Sequence, residues 1–468
     1  MSVSTAPTSS TAAPATLERR LGPLDAAAIV VSNVIGSGIF FVPILVAGLV
    51  PTSIGMLGLW LAGGVLAFAG AMAYAELAAL RPRAGGEYVY LRDAYGPVAA
   101  FLTGWTSFVA GFSGAIAASA VGLAEYIGRF VPAAADRTAI FTLPIPYVPL
   151  VVTPQAIVAI TAIVALSAVH ITGLGPGRLV HNFLATLKVL ALVLFVALGL
   201  SFGTGSFGHL ASSHTVPAPA TGWLVALIPI MFSYSGWNAA AYVAEEIRNP
   251  GKNVPIALAL GTGAVVLLYL ALNVLFLYAL PPAELAGLLT SGQGLTDAVA
   301  QRLFGGIAGS LLALLTIVSI AASISAMVLA GPRVYYAMAR DGVFPPAVAR
   351  VHSRFRTPAI AIATQAAWSS ILVLSGTLAG LVNYTGFAVM LFAAVAVMAV
   401  FVLRWREPSV SRPFSAWGYP VAPAVFVLAS LFMVGYNLYT NQFGERWGLA
   451  VIAAGLPLYF LFARPRKP

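Results

Sequence analysis

Apolar runs long enough to cross a bilayer recur twelve times along the chain, separated by short polar turns. Their centres fall near Gly36, Ala67, Gly111, Ile160, Leu192, Tyr234, Leu268, Ile320, Gln365, Leu391, Ala429 and Gly455. A membrane's hydrocarbon core takes about 20 helical residues, so the pattern predicts an all-α polytopic membrane protein with 12 transmembrane helices. The longest polar stretches lie near 131–148, 204–220 and 281–304 on one side and near 341–357 on the other, too short to hold a soluble domain. Residues 1–20 are rich in Ser, Thr, Ala and Pro without an apolar core. They predict a disordered cytoplasmic tail, not a cleaved signal peptide.

Two runs interrupt themselves. The first contains VVSNVIGSGIFF, Val30–Phe41. Gly36 and Gly38 are each about 1 kcal/mol less favourable in a helix than Ala. A break at mid-membrane frees backbone N–H and C=O groups that lipid cannot satisfy, so they must face protein, water or a ligand. The alternative is a packing face that admits a neighbouring helix. The sixth run carries a second break, FSYSGWN, Phe232–Asn238, about 200 residues later. Paired discontinuous helices point to an inverted repeat with a site at the membrane midplane. The breaks are five helices apart, an odd number, so the two halves lie in opposite orientations. The predicted organisation is a first five-helix repeat over 21–204, a second over 221–403, and helices 11 and 12 with the C-terminal tail over 404–468.

Composition agrees with this reading. The chain has 468 residues, 60% of them hydrophobic and only 8% charged, with a mean hydropathy of +0.93; soluble domains carry about 25% charged residues. The net charge of +10 follows from topology. With a cytoplasmic N-terminus, nineteen of the 24 Lys/Arg fall inside, Arg129, Arg137, Arg302 and Arg446 fall outside, and Lys188 lies within a span. That asymmetry obeys the positive-inside rule and removes the need for a nucleic-acid partner. It places both termini in the cytoplasm and the chain in the cell membrane. Cysteine is absent, so neither thiol chemistry nor a disulfide to another chain is available. The five histidines have no metal-ligand spacing, and no cluster of residues suggests an enzyme, a metal or a cofactor.

The breaks themselves supply the chemistry. In helix 1 the inner half ends in carbonyls near Val34, and the outer half begins with N–H groups at Ser37, Gly38 and Ile39. Helix N-termini attract anions and carbonyl ends attract cations. Helix 6 runs the other way and presents carbonyls near Phe232, Ser233 and Ser235. An anion cradle and a cation cradle at one depth suit a free α-amino acid. Lys188 is the one clear ionisable residue well inside a span. It either snorkels to the interface or docks its ammonium on broken-helix carbonyls where sodium-coupled relatives hold Na⁺. Ser323 and Ser325 are its candidate neighbours. Glu76, Glu87, Glu245 and Glu246, near Arg81, Arg83, Arg248 and Lys252, are expected to form inner-face salt bridges. Trp60, Trp105, Trp223, Trp405 and Trp447 are expected at the membrane interfaces, whereas Trp237 sits at the second break.

Longer motifs carry a resemblance. GSGIF in helix 1, AYAELAALRPRAGGEYVYLRDAYGP after helix 2, FSYSGWNAAAYVAEEIRNPGKNVPIAL through helix 6, GPRVYYAMARDGVFP after helix 8 and VLRWREP after helix 10 resemble the amino acid–polyamine–organocation superfamily. Gly-Trp-Asn in helix 6 resembles its L-type amino acid transporter branch. The resemblance covers nearly the whole chain after residue 20. It implies a five-plus-five inverted repeat of the leucine-transporter-like fold and alternating access. Matched residue by residue, the amides of Ser37, Gly38 and Ile39 beside Gly36 would hold the substrate carboxylate. Carbonyls of Val34, Phe232, Ser233 and Ser235 would hold the ammonium. Phe232 would be the aromatic gate, Asn238 a polar residue of the unwound helix, and Trp237 a lining residue. Lys188 would substitute for sodium, facing Ser323. Ser235 stands where glycine is common in carriers of large neutral amino acids. Without cysteine between helices 3 and 4 no disulfide-linked heavy subunit can attach, so the chain resembles a free-standing prokaryotic member.

The expected function is therefore sodium-independent transport of a small-molecule substrate, a neutral L-amino acid, across the lipid bilayer by an exchanger or uniporter. Proton-coupled symport, with Lys188 taking up and releasing the proton, and carriage of cationic amino acids or amines remain the alternatives.

Overall fold

The apolar runs fold as helices. A computed structural model describes residues 17–36, 38–145, 149–215, 222–291, 293–305, 308–375, 378–440 and 445–462. In chain order its helices are α1 (Pro23–Val34), α2 (Val42–Leu49), α3 (Ser53–Leu80), α4 (Glu87–Tyr95), α5 (Pro97–Thr106), α6 (Phe112–Ile127), α7 (Pro154–Ile171), α8 (Leu174–Phe202), α9 (Gly222–Tyr234), α10 (Ala239–Tyr242), α11 (Pro250–Ala279), α12 (Pro282–Ser291), α13 (Leu295–Phe304), α14 (Ala308–Ala330), α15 (Pro332–Arg340), α16 (Ala359–Leu374), α17 (Leu378–Arg406), α18 (Val421–Thr440) and α19 (Glu445–Phe462). Among the described residues, eight helical stretches are long and apolar enough to cross a membrane, and Pro23–Val34, Gly222–Tyr234, Ala359–Leu374 and Gly448–Phe462 are shorter apolar helices. The protein is an all-helical polytopic membrane protein. Many of its large apolar side chains, such as Leu179, Phe183, Leu267 and Leu428, are exposed on the outside of the bundle, as lipid-facing surfaces are.

Both breaks interrupt helices at their expected places. α1 stops at Val34, and the chain resumes as a single 3₁₀ turn, Gly38–Phe40, before α2. α9 stops at Tyr234, and the chain turns through Gly236, whose φ is +99°, before α10. α1 packs against α10, and α9 packs against the 3₁₀ turn Gly38–Phe40, so the two breaks meet. α5 and α6 form one span through a π-helical segment, Ser107–Gly111. Such wide turns recur at functional sites.

Three expectations need correction. The polar stretch near 281–304 is not an irregular loop but folds as α12 and α13, and the stretch near 131–148 carries part of a small antiparallel hairpin, β1 (Phe141–Leu143) with β2 (Leu150–Val152). Trp60 is no interface anchor. It is fully buried, with Tyr234 and Tyr269 packed edge-on at ring distances of 5.8 and 5.6 Å, because α3 turns that face towards α9 and α11. Trp405 is largely exposed, and the Trp447 side chain lies outside the described ones.

The acidic residues also choose different partners. Glu76 pairs with Arg404 at 2.7 Å and Arg412 at 3.2 Å, Glu245 with Arg340 at 3.0 Å, and Glu246 with Arg333 at 2.6 Å. Glu87 forms no ion pair among the described residues and is instead hydrogen-bonded by Tyr74 and Thr103. Arg81 pairs with Asp93 and Glu407 instead.

Candidate functional site

Glycine decides how the two breaks approach each other. A methyl group on Gly38 would lie 2.7 Å from Ser233 Oγ and 3.0 Å from Ser233 Cα. One on Gly236 would lie 2.8 Å from Asn33 Nδ2 and 3.1 Å from the Asn33 carbonyl. Each break thus puts a glycine where the other's backbone passes. Gly36 differs: nothing lies within 4 Å of a methyl built there, because it faces a cavity.

That cavity has a volume of about 300 Å³. Val34, Gly36 and Gly38 line it from the first break, with Phe232, Ser233, Ser235 and Asn238 from the second. It extends along α6 past Ala118, Ser119 and Gly122 towards Tyr126, and its opposite end is formed by Glu87 and Tyr242. Trp237, expected to line it, does not. Ile39 is fully buried in the core, and Trp237 packs edge-on against Tyr74 and Phe426 behind the break, lining only a small adjoining cavity of about 30 Å³. Ser37 lies outside the described residues. The N–H groups of Gly38 and Ile39 make no hydrogen bond to another described residue, as befits the start of a helical turn.

Lys188 lies behind the first break. It is 0% exposed, so its ammonium reaches no interface. Nζ donates to the carbonyls of Ile35 at 2.5 Å and Ser32 at 3.2 Å and to Ser323 Oγ at 3.0 Å. Ser323 Oγ lies 2.8 Å from the Ile35 carbonyl and 2.9 Å from that of Ser32. The carbonyl end of α1 carries partial negative charge, and the ammonium neutralises it. Ser325 is not part of this group. Its hydroxyl meets His170 Nε2 at 2.8 Å.

Tyr269 was not foreseen. From α11 its hydroxyl lies 3.0 Å from the Val34 carbonyl and 3.1 Å from that of Ser233, so one O–H serves carbonyls of both breaks. Asn33, which lines the cavity, was missed as well. Tyr269 is one of two tyrosines in α11, so the sequence marks it only weakly, and Asn33 is marked only as a polar residue beside the first break. The Phe232 carbonyl accepts from Ser235 N–H at 3.0 Å within its own turn and keeps a second lone pair for another donor.

Interrupted helices that wall a cavity inside an apolar bundle define a membrane transporter. Residues 21–461 match the amino acid permease family, and the chain belongs to it, within the amino acid–polyamine–organocation superfamily. It is 30% identical over 446 residues to the serine/threonine exchanger SteT of Bacillus subtilis (strain 168), covering 95% of this chain and 97% of that protein. It is 28% identical over 470 residues to the human large neutral amino acids transporter small subunit 2, covering 95% and 80%. Over 460 residues it is 28% identical to the human cystine/glutamate transporter, covering 95% and 85%. The chain is a secondary transporter of amino acids with relatives in the L-type branch.

Proposed function

We propose that the protein exchanges neutral L-amino acids across the cytoplasmic membrane by alternating access, without sodium. The observation that carries this reading is the cavity between the two breaks, lined on one side by Gly38, whose N–H makes no hydrogen bond to another described residue. The substrate carboxylate docks on the amides of Ser37, Gly38 and Ile39 beside Gly36. The ammonium docks on carbonyls of Val34, Phe232, Ser233 and Ser235, with Phe232 as the gate. Lys188 and Ser323 stand in for a sodium ion by holding the end of α1 with a fixed positive charge, so no external cation is required. Their buried hydrogen bonds to Ser32 and Ile35 support that role.

In the same reading the chain makes 12 spans, with 21–204 and 221–403 as inverted five-helix repeats and 404–468 as an addition. Both termini face the cytoplasm, and no heavy subunit is attached, in keeping with the absence of cysteine. A similar exchanger of serine and threonine spans nearly the whole chain, and the hydroxyl of Ser235 narrows the pocket towards small and medium neutral side chains.

The test is uptake of radiolabelled neutral amino acids into proteoliposomes at equal pH without sodium. Uptake that requires unlabelled amino acid inside is the expected result. Uptake into empty vesicles at the same rate would make the protein a uniporter, and no flux of any amino acid under any gradient would overturn the reading.

A further inference from the structure

The cavity ends on a buried carboxyl group that the breaks do not need. Glu87 lies at the start of α4, between the candidate spans Ser53–Leu80 and Pro97–Ile127, and is 7% exposed. Its Oε2 accepts from Tyr74 of α3 at 2.8 Å, and its Oε1 from Thr103 of α5 at 3.3 Å. The Tyr242 hydroxyl of α10 also faces this carboxyl and accepts from Asn238 Nδ2 at 3.2 Å. Asn238, Tyr242 and Glu87 all line the cavity, so polar groups are set in a row from the second break to this carboxyl.

Among the described residues no positive charge pairs with it. The facing groups are Tyr74 from α3, Thr103 from α5, Tyr242 and Asn238 from the second break, and Tyr90 from α4 itself. The nearby cations are committed elsewhere: Arg333 of α15 to Glu246, Arg404 of α17 to Glu76, and Arg92 to Asp341. Burying an unpaired carboxylate is costly, and such a group neutralises by taking up a proton.

We propose that Glu87 is a proton-binding site at the floor of the substrate cavity, and that its protonation loosens α10 from the scaffold formed by α3 and α5. The hydroxyls hold the ionised form by charge-assisted hydrogen bonds, roughly twice as strong as neutral ones. A proton on the carboxyl converts them to ordinary bonds, and Tyr242 is the one that ties the second break to Glu87. α10 must move for the cavity to open at this end, so exchange accelerates as pH falls. Burial pushes the Glu87 carboxyl above its ordinary value, while the hydroxyls from Tyr74, Tyr242 and Thr103 pull it back. The sign follows: the proton is bound on the acid side of a midpoint that burial moves towards neutrality.

This inference rests on the cavity's being the substrate site, and the experiment separates the two. Exchange of labelled neutral amino acid is measured in proteoliposomes, with equal pH on both sides, from pH 5 to 9. The wild type is expected to slow by about five-fold from acid to alkaline pH, the rate equivalent of about 1 kcal/mol. Glu87→Gln, which cannot ionise, is expected to give a flat profile near the acid rate. Tyr242→Phe removes the hydroxyl through which the carboxylate holds α10 and is expected to lose most of the pH dependence, which keeps the test open if Glu87→Gln does not fold. A wild-type slope retained in Glu87→Gln or in Tyr242→Phe, or a flat wild-type profile, would overturn the proposal. Absence of wild-type exchange at every pH would instead overturn the substrate-site reading.

Discussion

The two ends of the molecule are held together differently. At the end proposed to face the cytoplasm two sets of ion pairs are buried and span distant parts of the chain, beside partly exposed ones such as Arg340–Glu245 and Arg178–Asp25. Arg333 and Glu246 are 1% and 0% exposed, and Glu76 is clamped by Arg404 and Arg412. The first described segment joins the same seal: Leu21 N–H donates to the Glu246 carbonyl at 3.0 Å, and Arg248 N–H to that of Leu21 at 2.9 Å. At the opposite end the pairs Arg129–Asp297, Arg137–Glu125 and Arg302–Glu284 are all at least 40% exposed. Exposed pairs contribute about 0–1 kcal/mol, whereas breaking a buried one leaves a stranded charge. The buried pairs close that end of the structure, and the cavity runs along α6 towards the other. Alternating access requires the buried set to separate and the exposed end to tighten.

Glu246→Ala should have the largest effect, because it strands the Arg333 guanidinium in the core. A loss of about 3–5 kcal/mol is expected in the unfolding of the purified protein. The double change Glu246→Leu with Arg333→Met should recover most of it, and equal damage in the double variant would mean that the pair is not what closes this end. Midway between the ends, the glycines of the first break should separate. Gly38→Ala forces a methyl onto Ser233 and should destabilise by about 1–3 kcal/mol. Gly36→Ala projects into the cavity and should leave stability within about 0.5 kcal/mol. Arg129→Ala, at the exposed end, should shift stability by less than about 1 kcal/mol. A loss like that of Glu246→Ala would erase the contrast between the two ends.

Much of this was legible from sequence because the informative residues are exceptions to a simple rule. In a chain of membrane-length apolar runs, Gly36, Gly38 and Gly236 stand out as helix breakers and Lys188 as a buried charge, and each is locally anomalous. What the pattern could not supply were contacts between different helices. Tyr269 reads as one more aromatic in an apolar helix until it is seen to bridge Val34 and Ser233. Glu87 reads as an interface acid beside Arg81 and Arg83, although the arginine turns to Asp93 and Glu407. Trp60 follows the statistics of interface tryptophans but is buried by the helices that α3 meets. Gly38 and Gly36 look equivalent in GSG, and only the path of the second break shows that one packs and the other lines open space.

The most direct test of the substrate site is equilibrium binding of a radiolabelled neutral amino acid to purified wild-type protein and Gly36→Ala, with thermal unfolding recorded on the same samples. If the cavity at the first break receives the substrate carboxylate, Gly36→Ala should unfold like the wild type and bind at least about ten-fold more weakly, since a methyl then occupies the approach to the amides. Unchanged affinity in a stable Gly36→Ala protein would contradict the account and move the substrate out of this cavity.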